Sequence, residues 1–206
     1  WNKILSYDFR NPLYDASTSS FDKSESKTIT NNLTLRWDIW KGFYLTGSFS
    51  YSLSDSQSDK FVSPDHSSFE TETDPGKRGS YFISNMRGKS WQARIGLTYS
   101  KTLSDNGSIL TLNVGANANK SNSNSNSFSG IGFLKGNLTD MAFANSYPTN
   151  GQPSGSESLS SSVGVFGNLN IIFLNRYFVD GSYRVSGSSK FGKDRRFAPF
   201  WSVGIG

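Results

Sequence analysis

The chain has no cysteine, a single histidine, two methionines, and no apolar run that approaches the length of a membrane-spanning helix. Without cysteine there can be no disulfide framework and no thiolate metal site. A hydrolytic triad or a histidine metal site would have to use His66. That residue lies among Ser63, Ser67 and Ser68 with no carboxylate cluster at ligand spacing, so a plain loop position is the better reading. Asp65, Glu70, Glu72 and Asp74 lack the alternate spacing and central Gly of a calcium loop, which leaves them as a solvated stretch. Gly181-Ser182 and Gly187-Ser188-Ser189 precede no helical pattern, so they are neither nucleophile elbows nor phosphate loops. No catalytic residue, metal or cofactor is expected.

Aliphatic residues are also scarce. Hydrophobic residues make up 34% of 206 and the mean hydropathy is −0.49, where a helical soluble enzyme would carry more Ala, Leu and Glu. Aromatics, however, reach 15%, and Ser, Asn and Gly fill much of the remainder. That balance fits a transmembrane barrel, in which only alternate residues face lipid and aromatic girdles mark both interfaces. A soluble all-β module or a partly disordered chain fits the bare composition too. The formal charge of +5 is scattered, with one cluster from Lys190 to Arg196 at a strand connection. A solvated corner is the plainer reading of it, a patch for anionic lipid or substrate the sharper one, and nucleic acid is not an expected partner. The first residue is Trp1, and no signal-peptide pattern follows, so the expectation is an internal piece of something longer.

The positive signal is a period of two. Leu33, Leu35, Trp37 and Ile39 alternate with Thr34, Arg36 and Asp38. After a Lys41-Gly42 turn, Phe43, Leu45, Phe49, Tyr51 and Leu53 alternate with Thr46, Ser48, Ser50 and Ser52. Trp91, Ala93, Ile95, Leu97 and Tyr99 follow, then an Asp105-Asn106-Gly107 turn and a strand at Leu110, Leu112, Val114, Ala116 and Ala118. The last three strands carry Val163, Val165, Leu169, Ile171 and Phe173, then Tyr177, Val179, Tyr183 and Val185, then Trp201, Val203 and Ile205. Residues 1–26 read as the end of a long loop. So do Ser54 to Lys89 and Asn119 to Glu157, the latter opening with a low-complexity Ser/Asn run from Ser121 to Ser129 that cannot pack by itself. Connections thus alternate short and long, as periplasmic turns and extracellular loops do in outer-membrane barrels. The charges agree: Arg36, Asp38, Arg94, Asp180 and Arg184 all fall on the polar phase, where a watery lumen would accept them. On the lipid phase an Arg or Lys costs about 2–4 kcal/mol at the midplane. Trp37, Trp40, Tyr51, Trp91 and Tyr177 near strand ends suit interfacial girdles.

Three groups of residues also carry a family resemblance. The first runs from Arg176-Tyr177-Phe178-Val179-Asp180-Gly181-Ser182-Tyr183-Arg184 through Gly187-Ser188-Ser189-Lys190-Phe191-Gly192 to Phe200-Trp201-Ser202-Val203-Gly204-Ile205-Gly206. The second is Asn11-Pro12-Leu13-Tyr14-Asp15 with Thr30-Asn31-Asn32, and the third is Lys60-Phe61-Val62-Ser63-Pro64-Asp65-His66. Taken in chain order they resemble SusC-like (SusC/RagA-type) TonB-dependent outer-membrane transporters, with Ser186 where that family usually has an acid before its Gly-Ser-Ser. The resemblance implies an all-β fold: an antiparallel transmembrane β-barrel segment, about seven strands of a barrel of roughly 22. Residues 1–206 would then be a partial TonB-dependent receptor barrel domain, without its plug domain and remaining strands. The implied activity is import of a glycan or peptide nutrient across the outer membrane, with a SusD-like surface lipoprotein as cap. TonB would be engaged through an N-terminal part outside this sequence. The alternative from the residues alone is a soluble or surface-attached all-β binding module, adhesin- or lectin-like.

Two sets of site residues follow. Phe61, Phe69, Tyr81, Phe128, Phe133, Phe143 and Tyr147 fall in the stretches read as outer loops, where rings could stack on a sugar face or pack on a partner; pinning the loops to one another is the bland reading. Arg36, Asp38, Arg94, Asn113, Asn168 and Arg184 fall on the phase read as lumen-facing, where they would meet a polar solute or simply line a water-filled wall.

Overall fold

Alternating β-branched and aromatic residues between tight Gly- and Asn-bearing turns favour strands, and strands dominate the structure. The computed structural model describes residues 11–104, 107–191 and 196–206. A one-and-a-half-turn helix, α1 (Pro12–Ala16), precedes seven strands: β1 (Phe21–Trp40), β2 (Phe43–Val62), β3 (Ser80–Ser104), β4 (Ser108–Ile131), β5 (Ser154–Phe173), β6 (Tyr177–Ser188) and β7 (Phe197–Ile205). They form one sheet in chain order, each strand hydrogen-bonded to the next. The architecture is all-β, a segment of antiparallel barrel wall. Asp105, Asn106 and residues 192–195 of the basic corner lie outside the described residues.

The strands are longer than the alternation suggests. β2 continues to Val62 and β3 begins at Ser80, so the expected loop from Ser54 to Lys89 shrinks to 63–79. The Ser/Asn run of 121–129 is not loop either; it is the second half of β4. At about 3.3 Å per residue, strands of 20–25 residues are roughly twice the 9–11 needed to cross a bilayer. The extra halves carry polar residues on both faces, so no periodicity marks them. They are held by ladder hydrogen bonds, which need no apolar surface, and by hydroxyl pairs such as Ser125–Ser156 at 2.9 Å and Ser127–Ser154 at 2.8 Å.

Contacts divide the chain into two compact units, with β1 to β5 each contributing residues to both. The first comprises Trp1–Thr28, Ser54–Arg87 and Ser123–Glu157. Its core is small and aromatic. Phe61 and Phe133 are each 1% exposed, with ring centroids 5.1 Å apart, and Phe21 and Tyr81 complete the cluster. Segment 132–153 folds back rather than looping out: Ile131 bridges Ser146, and the Gly132 and Phe133 amides donate to the Gly79 and Arg78 carbonyls. Gly132 has φ +81, and a Cβ there would lie 2.1 Å from the Gly76 carbonyl oxygen, so only glycine permits this closure. Asn11 caps α1, and Asp15 accepts from both the amide and the hydroxyl of Ser67 at 2.8 and 2.6 Å. The second and third stretches of the family resemblance therefore meet in space. His66 joins them: its Nδ1 accepts from the Ser68 amide at 3.1 Å, which leaves the Nε2 hydrogen toward Asp15, 3.7 Å away.

The second unit comprises Ile29–Leu53, Gly88–Asn122 and Ser158–Gly206. The register pairs Val165 with Val185 and Pro199, Gly167 with Tyr183 and Trp201, and Leu169 with Gly181 and Val203. The alternate rows are Phe166, Arg184 and Phe200, then Asn168, Ser182 and Ser202. Phe178 and Gly206 exchange both backbone hydrogen bonds. Counting alternate pairs from there puts the Pro199 nitrogen on the side of β7 away from β6, so the ring removes no ladder bond. Tight reversals join the strands. Gly42 has φ +80 and its carbonyl accepts from Ser100 at 2.6 Å; Leu174 and Asn175 take φ 56 and 53 between Phe173 and Tyr177.

Candidate functional site

The two faces of the second unit differ in kind. On one, Leu35, Trp37, Phe49, Ile95, Leu112, Val114 and Val165 are each 42–59% exposed. Among the described residues no layer packs on them, and no apolar side chain of this unit is fully buried. A soluble sandwich would bury this phase, since apolar faces of sheets stack at about 10 Å. Aromatic rings gather near the tight turns: Trp40 on Phe43 at 5.9 Å and Phe43 on Tyr99 at 6.2 Å, with Arg176 over Tyr177.

The opposite face is polar and ordered by side-chain contacts. Arg36 pairs with Asp38 at 3.0 Å and lies over the Tyr44 ring at 4.1 Å. The Thr46 hydroxyl donates to the Gly96 carbonyl, and Asn113 donates to the Thr98 hydroxyl at 2.7 Å. Arg94 stands over the Phe166 ring at 4.9 Å. Asn170 donates to Asp180, and the Ser182 and Ser202 hydroxyls meet at 2.7 Å. Ser48, Gln92, Arg94, Asn117, Asn168 and Arg184 line one depression of about 550 Å³. Of the six residues assigned to the polar phase, three (Arg94, Asn168 and Arg184) share that depression, and Arg36, Asp38 and Asn113 are engaged with neighbours of the same phase.

Neither a protein-family model nor a curated protein matches the sequence. Solved structures do match. The RagAB peptide transporter aligns over 96% of this chain with a TM-score of 0.79 and 20% identity, and the RagAB peptide importer in its 'open-open' state over 99% with 0.80 and 19%. The 'closed-closed' state of that importer gives 0.78. The fold is that of a stretch of antiparallel β-barrel wall. The chain spans about a fifth of the length of those chains, 21% and 22%.

On that wall the aromatic residues expected in outer loops separate into two groups. Phe61 and Tyr81 lie in β2 and β3, and Phe128 lies in β4, because those strands outrun their apolar alternation. Phe61 and Phe133, at 1% exposure, have no surface to offer a ligand. They pin the connections together, and Tyr81, donating to Asp59 at 3.4 Å, packs beside them. Burial, then the Asp59 carboxylate, push the Tyr81 phenol above its usual range. Phe128, Phe143 and Tyr147 remain 40, 50 and 56% exposed, and Phe69 is half-buried. No group of three or more metal-ligating side chains occurs among the described residues.

Sequence reasoning missed Phe166, which lies on the polar phase of β5, where alternation calls for a polar residue. Its signal is Gly115 on β4. A Cβ at Gly115 would lie 2.6 Å from the Phe166 ring, so the missing side chain is what lets the ring lean across toward Arg94.

Proposed function

We propose that this chain is part of the wall of an outer-membrane active transporter that imports a peptide or glycan nutrient by a TonB-dependent mechanism, with a SusD-like surface lipoprotein as its cap. The plug domain and remaining strands lie outside this sequence in this reading, and TonB acts through them. One observation carries it: in the second unit a bare apolar phase backs a polar phase rich in Arg, Asn and Ser. Lipid is the cover for the first, and a water-filled lumen is the solvent for the second. The likeness to a peptide transporter supports peptide cargo over glycan. In the outer connections, Phe143 and Tyr147 are the exposed rings of the expected set left to meet cargo or the cap; Phe128, also exposed, lies in β4, and Phe69 is half-buried.

The test uses the full-length protein in its native outer membrane. Phe143→Ala with Tyr147→Ala should lower energised uptake of the cognate nutrient at least about fivefold, as loss of two stacking anchors would, while insertion is unchanged. A full-length protein that stays monomeric in buffer without detergent would overturn the membrane reading and leave a soluble binding module. Normal uptake by the double variant would leave the loops without this role.

A further inference from the structure

The polar face of the second unit holds positive charge that no described carboxylate neutralises. Arg36 is matched by Asp38, and Asp180 is engaged by Asn170. Arg94 and Arg184 differ. Among the described residues neither has a carboxylate partner: Arg94 meets only the Phe166 ring, and Arg184 donates only its Nε to Ser186 at 2.7 Å. Phe166 is directly opposite Arg184 in the register, and Arg94 reaches the same ring from β3, across the gap left by Gly115. The ring therefore carries one guanidinium over its face from β3, and Arg184 stands beside Phe166 on β6 and lines the same depression. The hydrogen bond through Nε fixes the Arg184 fork, and among the described residues its terminal nitrogens meet no partner. The depression around them is lined by Gln92, Asn117, Asn168 and Ser182, all uncharged hydrogen-bonding groups. Its volume, about 550 Å³, falls in the range of small-ligand sites.

We propose that Arg94, Phe166 and Arg184 form a binding site for a carboxylate-bearing solute passing the wall, most simply an acidic side chain of a short peptide. The planar fork of Arg matches a carboxylate in two parallel hydrogen bonds. The apolar ring beneath the Arg94 fork, in the depression that Arg184 also lines, favours an organic acid, whose carbon skeleton can cover it, over a bare inorganic anion. The amides and hydroxyls around the ring supply contacts that do not discriminate by charge, so the selectivity belongs to the arginines. This inference rests on the transport reading above for the identity of the solute, but not for its charge.

The experiment compares two capped tripeptides, acetyl-Glu-Glu-Glu-amide and acetyl-Gln-Gln-Gln-amide, binding by calorimetry to the full-length protein in detergent at low salt. The glutamate peptide should bind about tenfold more tightly, the scale of one charge-assisted contact in a wet site. Arg94→Gln or Arg184→Gln should each reduce that preference to about threefold or less, and the double variant should abolish it. Arg87→Gln, an exposed cation of the other unit paired with Asp55, should leave it intact. Equal affinity of the two peptides for the native protein overturns the proposal. So does a preference that survives the double variant. A double variant that keeps the preference but melts several degrees lower reassigns the arginines to a carboxylate elsewhere in the protein's own chain. Failure of the protein to reside in the outer membrane defeats the transport reading alone, because the peptide preference is read in detergent.

Discussion

Replacing Leu169 by Arg asks which solvent meets the apolar phase of the second unit. Leu169 is 38% exposed and sits in a row with Gly181 and Val203, neither of which crowds it. Four positions separate it from Phe173 at the tight turn, about 13 Å along the strand at 3.3 Å per residue. With a tilt of about 40°, that places it roughly 10 Å above the rim, close to the middle of an apolar band about 25 Å tall. In lipid, the substitution should cost about 2–4 kcal/mol, a 30-fold or larger drop in the folding equilibrium. In water, a half-exposed Leu exchanged for a long side chain that keeps its stem on the sheet should cost under about 1 kcal/mol. Thr111→Arg is the internal reference. It lies on the polar phase and makes only a weak contact with Ser100 at 3.4 Å. Reversible urea unfolding of the full-length protein from lipid vesicles measures both. A difference of less than about 0.5 kcal/mol between the two variants would refute the assignment of lipid to the Leu169 face.

Further outcomes follow from packing and backbone. Phe133→Ala empties a site of 1% exposure and should destabilise the first unit by about 3–5 kcal/mol; limited proteolysis should then cut within 132–153 while membrane insertion persists. Gly42→Ala combines φ +80 with a Cβ only 2.1 Å from the Ser100 carbonyl oxygen and should cost about 2 kcal/mol or more, seen as a lower urea midpoint. Tyr81 is held protonated by burial and by Asp59, so its folded pKa exceeds its unfolded one. Its contribution is complete below the unfolded value near 10 and is lost as pH rises through the folded value. Melting temperature should be insensitive to Tyr81→Phe at pH 7, and the native protein should lose stability above about pH 10 more steeply than that variant.

The sequence alone determined the strands of the second unit, their number and order, the tight turns and the two-faced pattern. It could do so because water on one side and apolar surroundings on the other impose contrast at every second residue. Lys41-Gly42 and Leu174-Asn175-Arg176 were readable as reversals, since few conformations join neighbouring strands in so short a span. The first unit was misread for the same physical reason. Where both faces of a strand are polar, as in Ser121 to Ser129 of β4, no alternation separates it from loop, and only the hydrogen-bonded neighbour shows that it is extended and paired. The burial of Phe61 and Phe133 was likewise invisible. It depends on 132–153 folding back through Gly132 and on β2 and β3 continuing past their apolar stretch. Arg94, Phe166 and Arg184 stand 72 and 18 residues apart in the chain, and what unites them is strand register and the empty space above Gly115. Tertiary structure decided that site, because a local pattern fixes which way a side chain points and only the sheet fixes what stands beside it.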